Sequence, residues 1–214
     1  MRYSFWVFLL SLFIIQPLQS RPVSHKDGWT LMLNKSSEQQ SLLVHYSPTS
    51  RYSIGYRFEQ HPDKKLNFSF FQLTNLLRRW NKQNSQTNLY FKSGLGIAHC
   101  EARDCGSTES PAMFTGIVFD WETRRYFFSY ENRYLESHSS ANQFSEALRV
   151  GVAPYLGNYG QLHTWLMLQV DHQPQGHHDI TLTPLLRFFK GSHLMELGIS
   201  DYGDAYFSWI SRLT

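Results

Sequence analysis

Polar and apolar positions alternate along most of this chain. In "TRRYFFSYENRY" (residues 123–134), Tyr126, Phe128, Tyr130, Asn132 and Tyr134 form one set. Arg125, Phe127, Ser129, Glu131 and Arg133 form the other. In a β-strand the two sets point to opposite faces. The same period recurs in "SLLVHYS", where Leu42, Val44 and Tyr46 oppose Ser41, Leu43, His45 and Ser47. It recurs in "RYSIGYRFEQ", with Tyr52, Ile54, Tyr56 and Phe58 against Ser53, Gly55, Arg57 and Glu59. "NLYFKSGLGIA" sets Leu89, Phe91, Leu95 and Ile97 against Asn88, Tyr90, Lys92, Gly94 and Gly96. "LRVGVAPYL", "QLHTWLMLQVDH" and "DITLTPLLRFF" continue the pattern, with Arg149, Asp171 and Arg187 on their polar faces.

Turn signals separate the runs: "SPTS", "HPDKK", "NKQNSQ", "GNYG", "HQPQGHHD", "KGSH" and "DYGD". Residues 73–83 also fit a helix, because Leu73, Leu76, Leu77 and Trp80 share a helical face. A long strand from Leu66 to about Trp80 fits the neighbouring pattern better. Counted from Trp29, the spacing predicts about twelve strands, or ten if short runs merge.

The polar faces pair charge with small residues: Arg57 with Gly55, Arg149 with Gly151, Lys92 with Gly94 and Gly96. Small residues are useful where side chains converge inside a narrow lumen. The aromatic faces suit lipid, with rings near the run ends forming interface girdles. The predicted fold is therefore an all-β, antiparallel transmembrane β-barrel. Its lumen is expected to hold Arg57, Glu59, Lys92, Asp120, Arg125, Glu131, Arg133, Arg149, Asp171, Arg187, Glu196 and Arg212, paired with one another because an unpaired buried charge is costly. A soluble periplasmic β-sandwich binding protein, with the aromatic faces as its core, is the alternative.

The start of the chain supports export. Arg2 precedes an apolar run, residues 5–15, then Pro17 and small Ser20. That is the layout of a cleaved secretory signal peptide at residues 1–20, leaving one domain at residues 21–214. Aromatic residues make up 16% of the chain, the formal net charge is only +3, and mean hydropathy is −0.39. No basic block marks a nucleic-acid partner. A barrel stays hidden from hydropathy because its strands alternate.

These features together resemble Gram-negative outer-membrane β-barrels over nearly the whole mature chain. The resemblance implies outer-membrane lipids and the barrel-insertion machinery as partners. Such barrels usually end in an aromatic residue; "GDAYFSWISRLT" supplies Tyr206 and Trp209 but ends in Thr214. More narrowly, "YENRY", "RVGVAPYLGNYGQLHTWLMLQVDHQP" and "LTPLLRFFKG" resemble uncharacterised small exported proteins of heavy-metal and copper efflux gene neighbourhoods. That implies a link to metal tolerance.

Candidate chemistry is sparse, and no cofactor is implied. Cys100 and Cys105 flank "EARD", and an exported chain with two close cysteines is expected to pair them. His172, His177 and His178, with Asp171 and Asp179, offer donors for a transition-metal ion. "ESHSSANQ" resembles the His-x-Ser arrangement of lipid A deacylases, with His138 and Ser140 as base and nucleophile of a lipid hydrolase. The expected role is non-enzymatic: a structural envelope protein, or a narrow channel for small polar solutes or ions.

Overall fold

Period-two alternation, interrupted at a few bulges, runs through the strands of the computed structural model, which describes residues 23, 25–101, 108–138, 140–158 and 160–213, with backbone alone at 140 and 141. The strands are β1 (Gly28–Lys35), β2 (Gln40–Thr49), β3 (Tyr52–His61), β4 (Leu66–Asn81), β5 (Ser85–Cys100) and β6 (Glu109–Thr123). They continue with β7 (Tyr126–Ser137), β8 (Ser140–Val152), β9 (His163–His172), β10 (Ile180–Lys190), β11 (His193–Ile199) and β12 (Ala205–Leu213). Each pairs antiparallel with its sequence neighbours, and β12 returns to β1, so the sheet closes on itself with no free edge. Twelve strands, not ten, form the wall, and the chain is one barrel rather than two packed sheets.

Closure requires the strands to tilt. One row of directly paired residues shows the tilt: Tyr52, Asn75, Phe91, Ile117, Asn132, Glu146, His172, Ile180. It starts at the first residue of β3 and reaches the last of β9. Both β1 and β12 have their outer ends at one rim, the terminal end, which also carries connections 50–51, 82–84, 124–125, 153–162 and 191–192. The opposite rim, the loop end, carries connections 36–39, 62–65, 101–108, 138–139, 173–179 and 200–204. The wall is uneven in height: β4 and β5 have 16 residues each, β11 only 7.

Two glycines are fixed by geometry. Gly191 takes φ 61° in the two-residue turn from β10 to β11, a conformation that a side chain disfavours. Gly96 faces Phe70 on β4, and a Cβ there would lie 1.8 Å from the Ser69 carbonyl oxygen.

The outward set is apolar around the whole barrel. Phe71 is 72% exposed and Leu95 69%, and Leu42, Ile54, Met113, Leu148, Leu168, Leu182 and Leu197 are all exposed. The inward set contains the charges, and it also carries an apolar cluster. Toward the loop end, under β4 to β7, Leu66, Phe68, Phe70, Ala98, Cys100, Ala112, Phe114 and Leu135 pack into a buried cluster. Phe70 meets Phe114 edge-on at 4.9 Å. The strands there are long and crowded, and β4 turns its Leu-x-Phe-x-Phe set inward. Beyond Leu76 a bulge on β4 shifts the register, so Leu77 and Arg78 do not follow the earlier alternation.

Arg125 also departs from its expected place. It lies exposed in the turn between β6 and β7, outside the strand alternation. The Thr123 hydroxyl accepts from the N–H groups of Arg125 and Tyr126 at 3.1 and 2.7 Å and closes the strand one turn early. Tyr155 and Leu156 likewise lie in connection 153–162 rather than in β8.

Candidate functional site

The inward positions of β3, β5, β7, β8, β10 and β11 bring charges together in the lumen. Glu59 of β3 is fully buried. It accepts two hydrogen bonds from Arg133 of β7, both 2.9 Å, and one from Arg57. Arg57 also reaches Gln72 at 3.4 Å. The Arg133 guanidinium lies 4.3 Å over the Phe114 ring, so the ion pair sits directly on the apolar cluster. Lys92 donates to Glu131 at 2.7 Å.

A second assembly repeats the logic further round. Glu196 of β11 accepts from Arg187 at 2.6 Å and from Arg149 at 3.1 Å. Arg149 also donates to the Tyr206 hydroxyl at 2.6 Å, which in turn reaches Glu196 at 3.3 Å. Arg187 lies 4.4 Å over Phe127. In each assembly one carboxylate serves two guanidinium groups. Of the remaining expected lumen charges, Asp120 accepts from Asn88 at 2.7 Å, Asp171 accepts from Gln169 at 2.6 and 2.8 Å, and Arg212 is buried.

Between and below these assemblies lies a cavity of about 930 Å³. Its lining runs from Gly157 and Ser192 near the terminal end to Ser36, Gln39 and Gln173 near the loop end. Connection 173–179 crosses the loop-end rim. Glu38 accepts from the His177 N–H at 2.7 Å, and the Gln175 side chain accepts from the Phe144 N–H at 3.0 Å. His178 stacks on Tyr202 with ring centres 3.4 Å apart. The segment is thus tied to three places on the rim.

Of the three histidines expected to hold a metal, His177 and His178 pack ring against ring at 4.7 Å, and His172 is engaged apart from them. His172 lies on the outer wall beside Glu146, at 3.1 Å, and Glu146 also takes the Tyr130 hydroxyl. Among the described residues no group of three His, Cys, Asp or Glu side chains is arranged to hold a metal ion. Cys100 is buried in the apolar cluster, whereas Cys105 lies outside the described residues, and the expected disulfide with it. His138 is exposed in the β7–β8 turn, and the Ser140 side chain is outside the described set, so the expected hydrolase pair cannot be placed. The signal peptide expected at residues 1–20 also lies outside it. His45 and His163 face inward as the alternation predicts, His45 bonded to Ser53 at 3.0 Å and His163 lining the cavity.

Sequence reasoning missed Gln72, Tyr206, Glu38 and Gln175. Tyr206 was detectable by phase, since it shares a face with Arg212, whereas Gln72 shares its face with Phe68 and Phe70 and carries no such signal. Glu38 and Gln175 sit in connections, where no period points to a partner.

No family model matches the chain, and no curated protein matches it in sequence. Among solved structures it is similar to OmpTdeltaL8 (loop L8 deletion mutant of OmpT), an outer membrane protein of Vibrio cholerae. The identity is 10% and the TM-score 0.30, over 86% of this chain and 95% of that one.

Proposed function

We propose that this chain is a non-enzymatic outer-membrane β-barrel with a narrow, largely ion-paired lumen that admits small polar solutes or ions. One observation carries the membrane assignment: polarity is inverted. Buried carboxylates and guanidinium groups lie inside, while large apolar side chains stand exposed around the entire outer wall. A water-soluble barrel would leave that whole surface wet, far beyond the few hundred Å² of contiguous apolar patch typical of soluble monomers. A closed barrel in lipid satisfies both the outer side chains and the backbone. The connections support an orientation too. Those at the terminal end are mostly two or three residues, which suits the periplasmic side, although 153–162 is longer; those at the loop end include longer ones, as on an extracellular side.

The lumen supports restricted rather than open passage. Its cations are held by carboxylates, aromatic rings fill one side, and connection 173–179 spans the loop-end rim. Metal tolerance draws no support from these histidines, which form no group of three metal donors among the described residues.

The test is membrane fractionation followed by gel electrophoresis with and without boiling. Recovery in the outer membrane with a boiling-dependent mobility shift supports the assignment. Recovery in the soluble periplasm without a shift overturns it.

A further inference from the structure

The lumen carries an apolar stripe that no ion passage needs. Leu43 of β2, Met32 of β1, Ile210 of β12, Leu194 of β11 and Phe189 of β10 are consecutive direct partners across five adjacent strands. All five line the cavity. Arg57 is the next partner beyond Leu43 and ends the stripe. The adjoining row toward the loop end holds Arg187 and Glu196 as direct partners. Along this one row, five of the twelve strands turn an apolar side chain to the lumen, and Arg57 and Arg187 border it.

Shared carboxylates hold the arginines beside the band. Arg57 and Arg133 share Glu59, and Arg149 and Arg187 share Glu196. In each assembly two guanidinium groups share one carboxylate, Glu131 and Asp171 line the same cavity, and among the described residues the Arg133 Nε is buried without a hydrogen-bond partner. A cavity of about 930 Å³ falls within the range of small-molecule sites, roughly 300–1,000 Å³, which are mostly apolar with a few placed polar groups. Water gains little against Met, Ile, Leu and Phe side chains, and a small inorganic ion would leave the band uncovered.

We propose that the lumen binds an amphipathic organic anion: an apolar body against the Leu43–Met32–Ile210–Leu194–Phe189 stripe, and a carboxylate or comparable oxyanion at the bordering arginines. The anion would take up guanidinium donors left over by the two shared glutamates. This goes beyond the proposed function, because an amphipathic anion is neither a small polar solute nor a simple ion, and it rests on the barrel lumen rather than on the surrounding lipid.

The experiment is calorimetric titration of the full mature chain in lipid nanodiscs, with empty nanodiscs subtracted. The titrants are 2-naphthoate, 2-naphthalenemethanol and inorganic phosphate. Naphthoate is expected to bind saturably, roughly tenfold or more tighter than the alcohol, because a charge-assisted bond is lost with the carboxylate. Phosphate is expected to give no saturable heat. Met32→Trp, which fills the stripe, is expected to weaken naphthoate at least tenfold while keeping the boiling-dependent gel shift. Ile210→Trp serves if Met32→Trp fails to fold. Overturning results are no saturable naphthoate heat from a chain that keeps its gel shift, phosphate binding as tightly as naphthoate, or stripe variants that bind like the parent. A chain recovered without detergent and without a gel shift would instead sink the membrane assignment. The same titration in plain buffer would then still decide the site.

Discussion

Arg133 of β7 and Glu59 of β3 are 74 residues apart in sequence and meet through two parallel 2.9 Å hydrogen bonds across the lumen. Arg57 completes the site from the same strand as Glu59. Removing the carboxylate leaves two guanidinium groups facing each other with no anion between them. Breaking a buried pair in this way costs about 3–5 kcal/mol. Glu59→Ala is therefore expected to lower the urea midpoint of the lipid-reconstituted chain substantially. Replacing the group as a unit, Glu59→Leu with Arg57→Met and Arg133→Met, is expected to cost much less, because no charge is left unpaired. A single variant as stable as the parent would mean that water, not Glu59, solvates these arginines.

The outer wall makes a depth-dependent prediction. Leu95 is among the most exposed apolar side chains and lies well inside β5. Leu213 is the last residue of β12, at the rim. An arginine on the lipid face costs about 2–4 kcal/mol at the bilayer midplane and about 0–1 near an interface. Leu95→Arg is expected to reduce folding stability in vesicles by the larger amount, and Leu213→Arg by the smaller. Equal and negligible effects at both positions would indicate that this surface meets water.

Much of the barrel was legible because a strand's period is fixed at two. Once Arg57 and Glu59 are placed inside, Ile54 and Tyr56 must be outside, and the same holds for Leu148 and Val150 opposite Arg149. What the period does not reveal is which of two apolar sets faces in. In "LNFSFFQLT" both phases contain aromatics, so Phe68 and Phe70 look no different from Phe71. Only the facing strands, with Ala98, Ala112 and Phe114 inward, decide it. The bulge after Leu76 was equally hidden, since an extra residue leaves no compositional mark. Arg125 was misplaced because the alternation was extended through a turn that Thr123 had already closed. The contacts of 173–179 were out of reach altogether: Glu38 and His177 come together only through the closure of the barrel.

Two glycines separate steric from conformational demand. Gly96→Ala puts a methyl group against the Ser69 carbonyl, which is backbone and cannot rotate away. Such overpacking costs about 1–3 kcal/mol. Gly191→Ala meets no atom within 4 Å but must adopt φ 61°, a left-handed cost of about 1–2 kcal/mol. Gly191→Asn is expected to recover part of that loss, because Asn tolerates this region. Gly96→Asn is expected to be worse than Gly96→Ala, because it is bulkier. Urea unfolding of the four variants checks both orderings.

Connection 173–179 is held at the rim by single contacts rather than by a ladder, so it should open without unfolding the wall. The Glu38 carboxylate is buried and bonded to the His177 N–H, Gln175 reaches Phe144, and His178 lies on Tyr202. A hydrogen bond to a charged group contributes about 1.5–3 kcal/mol, and a neutral one about 0.5–1.5. Glu38→Ala should therefore loosen the segment more than Gln175→Ala. In planar bilayers the order of mean conductance is expected to be Glu38→Ala above Gln175→Ala above the parent, with urea midpoints nearly unchanged, since the strands keep all their partners. Tyr202→Leu removes the stacking partner of His178 and is expected to raise conductance as well. Copper and zinc titrations of a His172/His177/His178 triple alanine variant are expected to match the parent, because among the described residues no three such side chains are arranged to hold a metal ion. Loss of metal affinity in that variant would mean that the segment rearranges to gather them. Conductance unchanged in every variant would mean that the resistance to flow lies deeper, at the shared glutamates.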